Sequence, residues 1–355
     1  MFKKIPNKII YIVLAILLAT IILFSLCNGA VKFTMNDVVR YMSDSISGNV
    51  NKNDTYEGIF LLIRLPRILL VIVTGAVLSV SGFLMQSIFR NPIVEPGIIG
   101  TSAGAALGAA IVFVFGKVDF FSHISFLSGF LLPACAFAGG LLATYLVYWF
   151  SASLGKINVI SMVLAGIAVN AVAGGGTGIL SYIARDPQAR SITFWNLGTF
   201  SGADWNSVII VYTAAIPSLI FILLNTKALN ALILGETEAG YLGINIERLK
   251  FWFILVNTLM VSIATSMVGV ISFVGLIVPH IFRLLKGSDS RFLTITSALA
   301  GAGLMLLADL LARMMISPAE IPIGIITAFI GAPLFLFLLK HMRKKILSGG
   351  IYAGS

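Results

Sequence analysis

Residues able to do chemistry are scarce in this chain, and their spacing argues against catalysis. His123, His280 and His341 are far apart and sit on different segments, so they form neither a metal-ligand set nor a base for a nucleophile. Gly116-Lys117 and Gly155-Lys156 each lack the following Ser or Thr and the upstream glycine of a phosphate-binding loop. Cys27 and Cys135 fall within apolar runs and read as packing residues, not as a disulfide. Asp309 is the exception among span interiors nearly free of ionisable groups. Arg313 lies one helical turn on, the spacing of a structural ion pair. No enzyme site, resident metal or cofactor is expected. What remains is one polar interruption, Gly235 to Lys250 (GETEAGYLGINIERLK), flanked by apolar runs of membrane length. It reads as a pair of short amphipathic helices hinged at Gly243, lying at the membrane surface like a handle. A handle without a motor implies that the motor is a separate subunit.

The elements that position these residues are membrane spans. The chain is 58% hydrophobic and 11% charged, whereas a soluble domain needs about 25% charged residues for its surface. No segment is long and polar enough for a soluble domain, so residues 1–355 read as one integral membrane domain. Apolar runs place ten spans near 9–27, 68–89, 97–115, 125–150, 158–184, 207–224, 251–270, 272–285, 293–313 and 322–339. The first follows Lys3, Lys4 and Lys8, but its apolar core is too long for a signal peptide and no cleavage site follows it. Phe251 to Phe282 is 32 residues without a charge. As one helix it would run about 48 Å, too long for a ~30 Å hydrocarbon core. Gly269, Gly275 and Pro279 offer break points, so it divides into a full span and a short one.

With ten spans and a cytoplasmic N-terminus, fifteen of the 24 Lys and Arg residues fall on inner segments and nine on outer ones. Nine spans would put the basic C-terminal tail outside. The net charge of +10 is therefore mostly a topology signal, not a nucleic-acid footprint. Gly100, Gly104 and Gly108 make consecutive GxxxG steps and are read as tight helix packing. Gly174, Gly175 and Gly176 weaken a helix by roughly 1 kcal/mol each, which suits a segment that bends or lines a pathway.

Several motifs then converge. Residues 64–105 (RLPRILLVIVTGAVLSVSGFLMQSIFRNPIVEPGIIGTSAGA) closely resemble the second and third spans of the FecCD-type permeases. These are the membrane subunits of type II ATP-binding-cassette (ABC) importers for vitamin B12, haem and ferric siderophores. WNLGTFSGADW (195–205), GETEAGYLG (235–243), SFVGLIVPHIFR (272–283), ADLLAR (308–313) and EIPIGIITAFIGAP (320–333) extend the resemblance, in order, over nearly the whole chain.

The resemblance implies an all-α integral membrane protein of about ten transmembrane helices with the type II ABC importer permease fold. It implies a bacterial cytoplasmic (inner) membrane protein with both termini cytoplasmic, paired with a second copy of itself around a shared pathway. Its partners would be two cytoplasmic ATP-binding-cassette ATPase subunits, which bind the ATP, an external substrate-binding protein, a metal-chelate ligand and membrane lipid. An inverted relation between spans two to five and seven to ten is implied too, although no repeat is visible in the sequence. Gly235, Glu236, Glu238, Leu242, Gly243 and Arg248 would belong to coupling helices seated in a cleft of the ATPase. Arg64 and Arg67, with Arg313 across the outer face, resemble arginines that receive glutamates of the docked binding protein; snorkelling anchors are the bland alternative. Just before the fifth span, where the family's vitamin B12 permeases carry small hydroxyl residues at an inner gate, this chain has Val159 and Ile160. A bulkier apolar constriction closes by excluding water. Arg185 and Arg190 would either meet an anionic ligand or simply face solvent.

The resulting expectation is the permease subunit of an importer for a siderophore, haem or a corrinoid. A self-contained ion-driven carrier is the competing reading, and a membrane-embedded enzyme the third.

Overall fold

A computed structural model describes residues 5–51, 53–116, 130–153, 156–316 and 319–349, and these are almost wholly helical. In chain order they form α1 (Asn7–Cys27), α2 (Met35–Ser47) and α3 (Thr55–Ile59), which runs through a π-helical turn (Phe60–Arg64) into α4 (Leu65–Ile88). A 3-10 turn (Pro96–Ile99) leads to α5 (Thr101–Phe115). Then come α6 (Leu131–Ser151), a two-residue hairpin pairing Ala152–Ser153 with Lys156–Ile157, and α7 (Val159–Ile183). The remainder comprises α8 (Asp186–Asn196), α9 (Trp205–Leu224), α10 (Thr226–Leu234), α11 (Glu236–Tyr241), α12 (Ile246–Val268), α13 (Val274–Lys286), α14 (Ser290–Met314) and α15 (Ile323–Gly349).

Each of the ten predicted spans corresponds to one of these helices. Seven are long and apolar enough to cross a bilayer: α1, the continuous Thr55–Ile88 segment, α6, α7, α9, α12 and α14. α5 and the Ile323–Phe337 part of α15 are shorter apolar helices, and α13 is the predicted short span. Residues 125–129 of the predicted fourth span lie outside the described residues, as do Lys117 and His123.

α4 is the axis of the bundle: the apolar window of its segment is 89% buried, against 17% for α1 at the periphery. Small residues let its neighbours approach. A Cβ on Gly75 would strike the Gly301 carbonyl of α14, and a Cβ on Gly301 would strike the Gly75 carbonyl. Gly104 of α5 and Gly139 of α6 meet in the same way, so the GxxxG stripe is a packing face. Cys27 and Cys135 are both free thiols.

The long apolar run breaks as expected, though at one of the three points named. Gly269 (φ 78°) ends α12, an extended stretch follows, and Phe273 (φ 71°) opens α13. The break is stitched to the end of α8 and the segment after it, with Thr199 N–H donating to the Val268 carbonyl at 2.8 Å and Val270 N–H to the Trp195 carbonyl at 3.3 Å. Gly275 and Pro279 instead lie inside α13. Proline cannot donate to the carbonyl four residues back. That Gly275 carbonyl accepts from the Gln86 side-chain amide of α4 at 3.3 Å, and the next, Leu276, from the same nitrogen at 3.2 Å. A borrowed donor thus keeps the short helix intact.

The surface helices α2, α8 and α10 were not anticipated. α2 has clear local causes: a capping box joins Thr34 and Asp37, Gly48 (φ 73°) caps the other end, and Val38 and Tyr41 are buried beneath it.

Candidate functional site

Two clusters of charge lie at opposite ends of the bundle. At one end the C-terminus of α1, the π turn before α4, the C-terminus of α14 and Glu320 converge. At the other end the C-terminus of α4, the α6–α7 hairpin, α11 and the start of α12 meet. The Lys286 ammonium also reaches the Ile5 carbonyl there, so the start of α1 shares this second end.

The handle occupies the second end, with one change from expectation. Its first limb is the short α11, but its second limb is the first turn of α12 itself, because Asn245 caps α12 by accepting from Arg248 N–H at 3.0 Å. Gly235, with φ 157° and ψ 157°, adopts a conformation open chiefly to glycine and turns the chain from α10 into α11. Gly243 (φ 77°) closes α11, its N–H donating to the Gly240 carbonyl at 2.9 Å, so it is indeed the hinge between the limbs. Glu238, Tyr241, Leu242 and Arg248 are exposed. Glu236 faces inward: it accepts from Lys250 Nζ at 2.8 Å and pairs with Arg90 at 3.4 Å.

Lys250 was counted on sequence as one more inner-loop charge. It is only 1% exposed. Its ammonium donates to Glu236 and to the Ile157 carbonyl at 3.2 Å and pairs with Glu247 at 3.7 Å; Glu247 in turn accepts from Ile157 N–H at 2.7 Å. The handle, the foot of α12 and the hairpin below α7 are therefore tied in one polar knot. Val159 and Ile160 begin α7 two residues beyond that knot, held by Asn158, whose side chain accepts from the N–H groups of Ile160 at 2.9 Å and Ser161 at 3.2 Å. Ile160 is exposed on the unpartnered side of α7.

At the opposite end Arg64, Arg67 and Arg313 do come together, but not as exposed side chains. They are 6%, 8% and 7% exposed. Asp309 is the hub: its Oδ1 accepts from Arg67 Nε at 3.0 Å and Nη2 at 2.9 Å, and its Oδ2 faces Arg313 Nε at 2.9 Å. The predicted pair Asp309–Arg313 forms, and sequence reasoning missed its third member, Arg67. Glu320, also missed, caps Arg67 from outside through bonds of 2.7 and 3.0 Å. Arg64 donates to the Leu26 and Val31 carbonyls at 3.0 and 2.6 Å and lies over the Phe33 ring, with no carboxylate bonded to it among the described residues. Arg67 and Arg313 share the carboxylates Asp309 and Glu320, and Arg64 leaves the cluster with one net positive charge.

α7 continues as one helix through Gly174, Gly175 and Gly176. Gly174, Gly175 and Gly178 face open space. Gly174 also borders a cavity of about 740 Å³, whose polar lining includes Glu95, Asn170, Thr177 and Ser272. The cavity sits where the two interrupted segments meet: Glu95, just before the 3-10 turn, accepts from Phe273 N–H at 2.9 Å. Its volume is in the range of pockets that take small-molecule ligands. Arg185 caps the start of α8, its N–H donating to the Gln188 side chain at 3.0 Å.

Comparison with known proteins agrees with this architecture. The FecCD transport family model matches residues 16–341. The hemin transport system permease protein HmuU of Yersinia pestis is 40% identical over 299 residues, covering 84% of this chain and 87% of the relative. The vitamin B12 import system permease protein BtuC of Yersinia enterocolitica is 37% identical over 282 residues, covering 79% and 82%. A solved metal-chelate type ABC transporter in an inward-facing conformation superposes with a TM-score of 0.80 at 31% identity, covering 94% of this chain and 99% of that one. With nine apolar helices among the described residues in the predicted order and a match over nearly its full length, the chain belongs to the FecCD transport family, the membrane permeases of ABC importers.

Proposed function

We propose that two copies of this chain form the pathway of an ATP-driven importer for a metal chelate of the haem, cobalamin or ferric siderophore class. Separate ATPase subunits grip the handle, which faces the cytoplasm together with both termini. The observation that carries this reading is the handle itself. It is a short helix between two glycine-set turns that leaves Tyr241 and Leu242 uncovered at a polar end of the molecule, and it is anchored by buried charge to the foot of a spanning helix. Exposed apolar side chains on a firmly held projection suit a socket on another protein. Glu238 and Arg248 at its rim would orient that contact.

Pairing of two copies is supported by α7, whose exposed face combines bare glycine backbone at Gly174, Gly175 and Gly178 with exposed Ile160, Leu164 and Ile167. Val159 and Ile160 would then form an apolar constriction near the handle end. At the far end, Arg64, Arg67 and Arg313 would present their surplus positive charge to acidic residues of the binding protein. Since Arg67 is already capped, docking would proceed by exchange with Glu320, whose side chain is 35% exposed.

Reconstitution tests the reading. The chain with its ATPase subunits and binding protein in liposomes, with ATP on the handle side, should accumulate hemin, vitamin B12 or a ferric hydroxamate. Accumulation by the chain alone on an ion gradient would overturn the proposal in favour of a secondary carrier.

A further inference from the structure

The least expected group in the molecule is the Lys250 ammonium, withdrawn from water at the root of the handle. It ties together three pieces of chain, one of them 93 residues away in sequence. Glu236 belongs to the handle helix, Lys250 and Glu247 to the first turns of α12, and Ile157 to the hairpin that ends two residues before α7. Charge in the knot balances, since Lys250 and Arg90 face Glu236 and Glu247. Both backbone groups of Ile157 are used: its carbonyl accepts from Lys250 and its N–H donates to Glu247. A residue gripped by both its peptide groups must follow the side chains that hold it. Asn158, its neighbour, is the N-cap of α7. A displacement of α11 is thereby handed through one buried cation to the base of the helix that carries Val159 and Ile160.

From this geometry we infer that Lys250 is the positioning residue that links the handle to α7, so that motion imposed on the handle shifts the start of that helix. The inference rests on the proposed reading of Gly235–Lys250 as the coupling segment, and adds the route by which the push leaves it. Lys250 is 1% exposed, so it acts through the groups it holds. Its loss uncouples two events that otherwise occur together. The link has discrete ends and one shared cation, which makes its contribution separable by substitution.

The test is the ratio of ligand taken up to ATP hydrolysed, measured on the whole complex in liposomes with hemin, vitamin B12 and a ferric hydroxamate run in parallel. Lys250→Met keeps the length of the side chain without its charge. The variant is expected to insert, to co-purify with the ATPase subunits and to hydrolyse ATP near the wild-type rate. Uptake per ATP should fall roughly tenfold, within the usual range of a coupling loss. Lys250→Arg restores the cation and should recover most of that ratio. An unchanged ratio in Lys250→Met overturns the inference, as does loss of ATPase binding, which would make Lys250 part of the docking surface. If Lys250→Met does not reach the membrane, Glu236→Ala replaces it. That side chain is only partly buried, and its removal cuts the same link on the handle side. A normal ratio in Glu236→Ala likewise overturns the inference. A wild-type complex that takes up none of the three ligands refutes the functional reading itself, and the inference with it. A wild-type complex that transports while its variants keep a normal ratio refutes the inference alone.

Discussion

The knot around Lys250 and the cluster around Asp309 both remove cations from water, yet they are built inside out relative to one another. In the knot the buried member is the cation, and its two carboxylates, Glu236 and Glu247, stay about a third exposed. In the cluster the buried member is the carboxylate, 1% exposed, and the surrounding Arg67 and Arg313 are themselves nearly inaccessible. Water reaches one side of every pair in the knot, so those contacts can loosen and re-form at modest cost. Around Asp309 no solvent stands ready to replace a lost partner, so breaking those contacts costs more. A buried clamp suits the end where α1, α4 and α14 meet. A wet, re-formable joint suits the end proposed to act as the lever.

The largest effect should therefore come from the clamp. Asp309→Ala strips the shared counter-charge from two buried arginines, and breaking a buried pair from one side costs about 3–5 kcal/mol. The variant should show a sharply lowered unfolding temperature in detergent and a low membrane yield. A variant as stable as wild type would mean that the arginines find water, and the contrast between the two ends would be lost. Gly243→Val comes next. A branched residue in the left-handed conformation costs roughly 1–2 kcal/mol, and the space around Gly243 is open, so insertion should survive while the hinge angle changes. Uptake should be abolished in a protein that still reaches the membrane; wild-type uptake would remove the lever role. Glu320→Gln should do less, about 1 kcal/mol or under, because the partly exposed Glu320 leaves Arg67 still bound to Asp309. Its sharper readout is binding-protein affinity, expected to rise as the cap on Arg67 weakens.

How much of this was legible depends on sequence distance. The ten spans, the division of the 251–282 run and the Asp309–Arg313 pair are local signals: apolar length, a glycine at a break, a four-residue step. The handle was legible as polarity between apolar runs. What was hidden depends on remote partners. Arg67 lies 242 residues from Asp309, so its membership in the cluster has no local mark. Lys250 reads like any basic residue at a span end, since nothing nearby announces that the hairpin before α7 will cover it. Gly275 and Pro279 looked like breakers because the Gln86 amide that rescues their turn comes from another helix. The short surface helices were missed because they lack the apolar length that marked the spans.

The smallest expected effect decides whether the wet joint depends on its buried member. Arg90 meets Glu236 at 3.4 Å with its side chain 44% exposed, an arrangement whose usual contribution is about 0.2–1 kcal/mol and weakens with salt. Its positive φ of 48° belongs to the backbone at the end of α4, and alanine there leaves that turn as it was. Arg90→Ala should thus shift the unfolding temperature slightly and leave uptake per ATP within about twofold of wild type, since Glu236 keeps its 2.8 Å bond to Lys250. Added salt should erase the remaining difference. If Arg90→Ala instead uncouples transport as severely as Lys250→Met, Glu236 is held by the surface charge and not by the buried one, and the knot is organised from its rim.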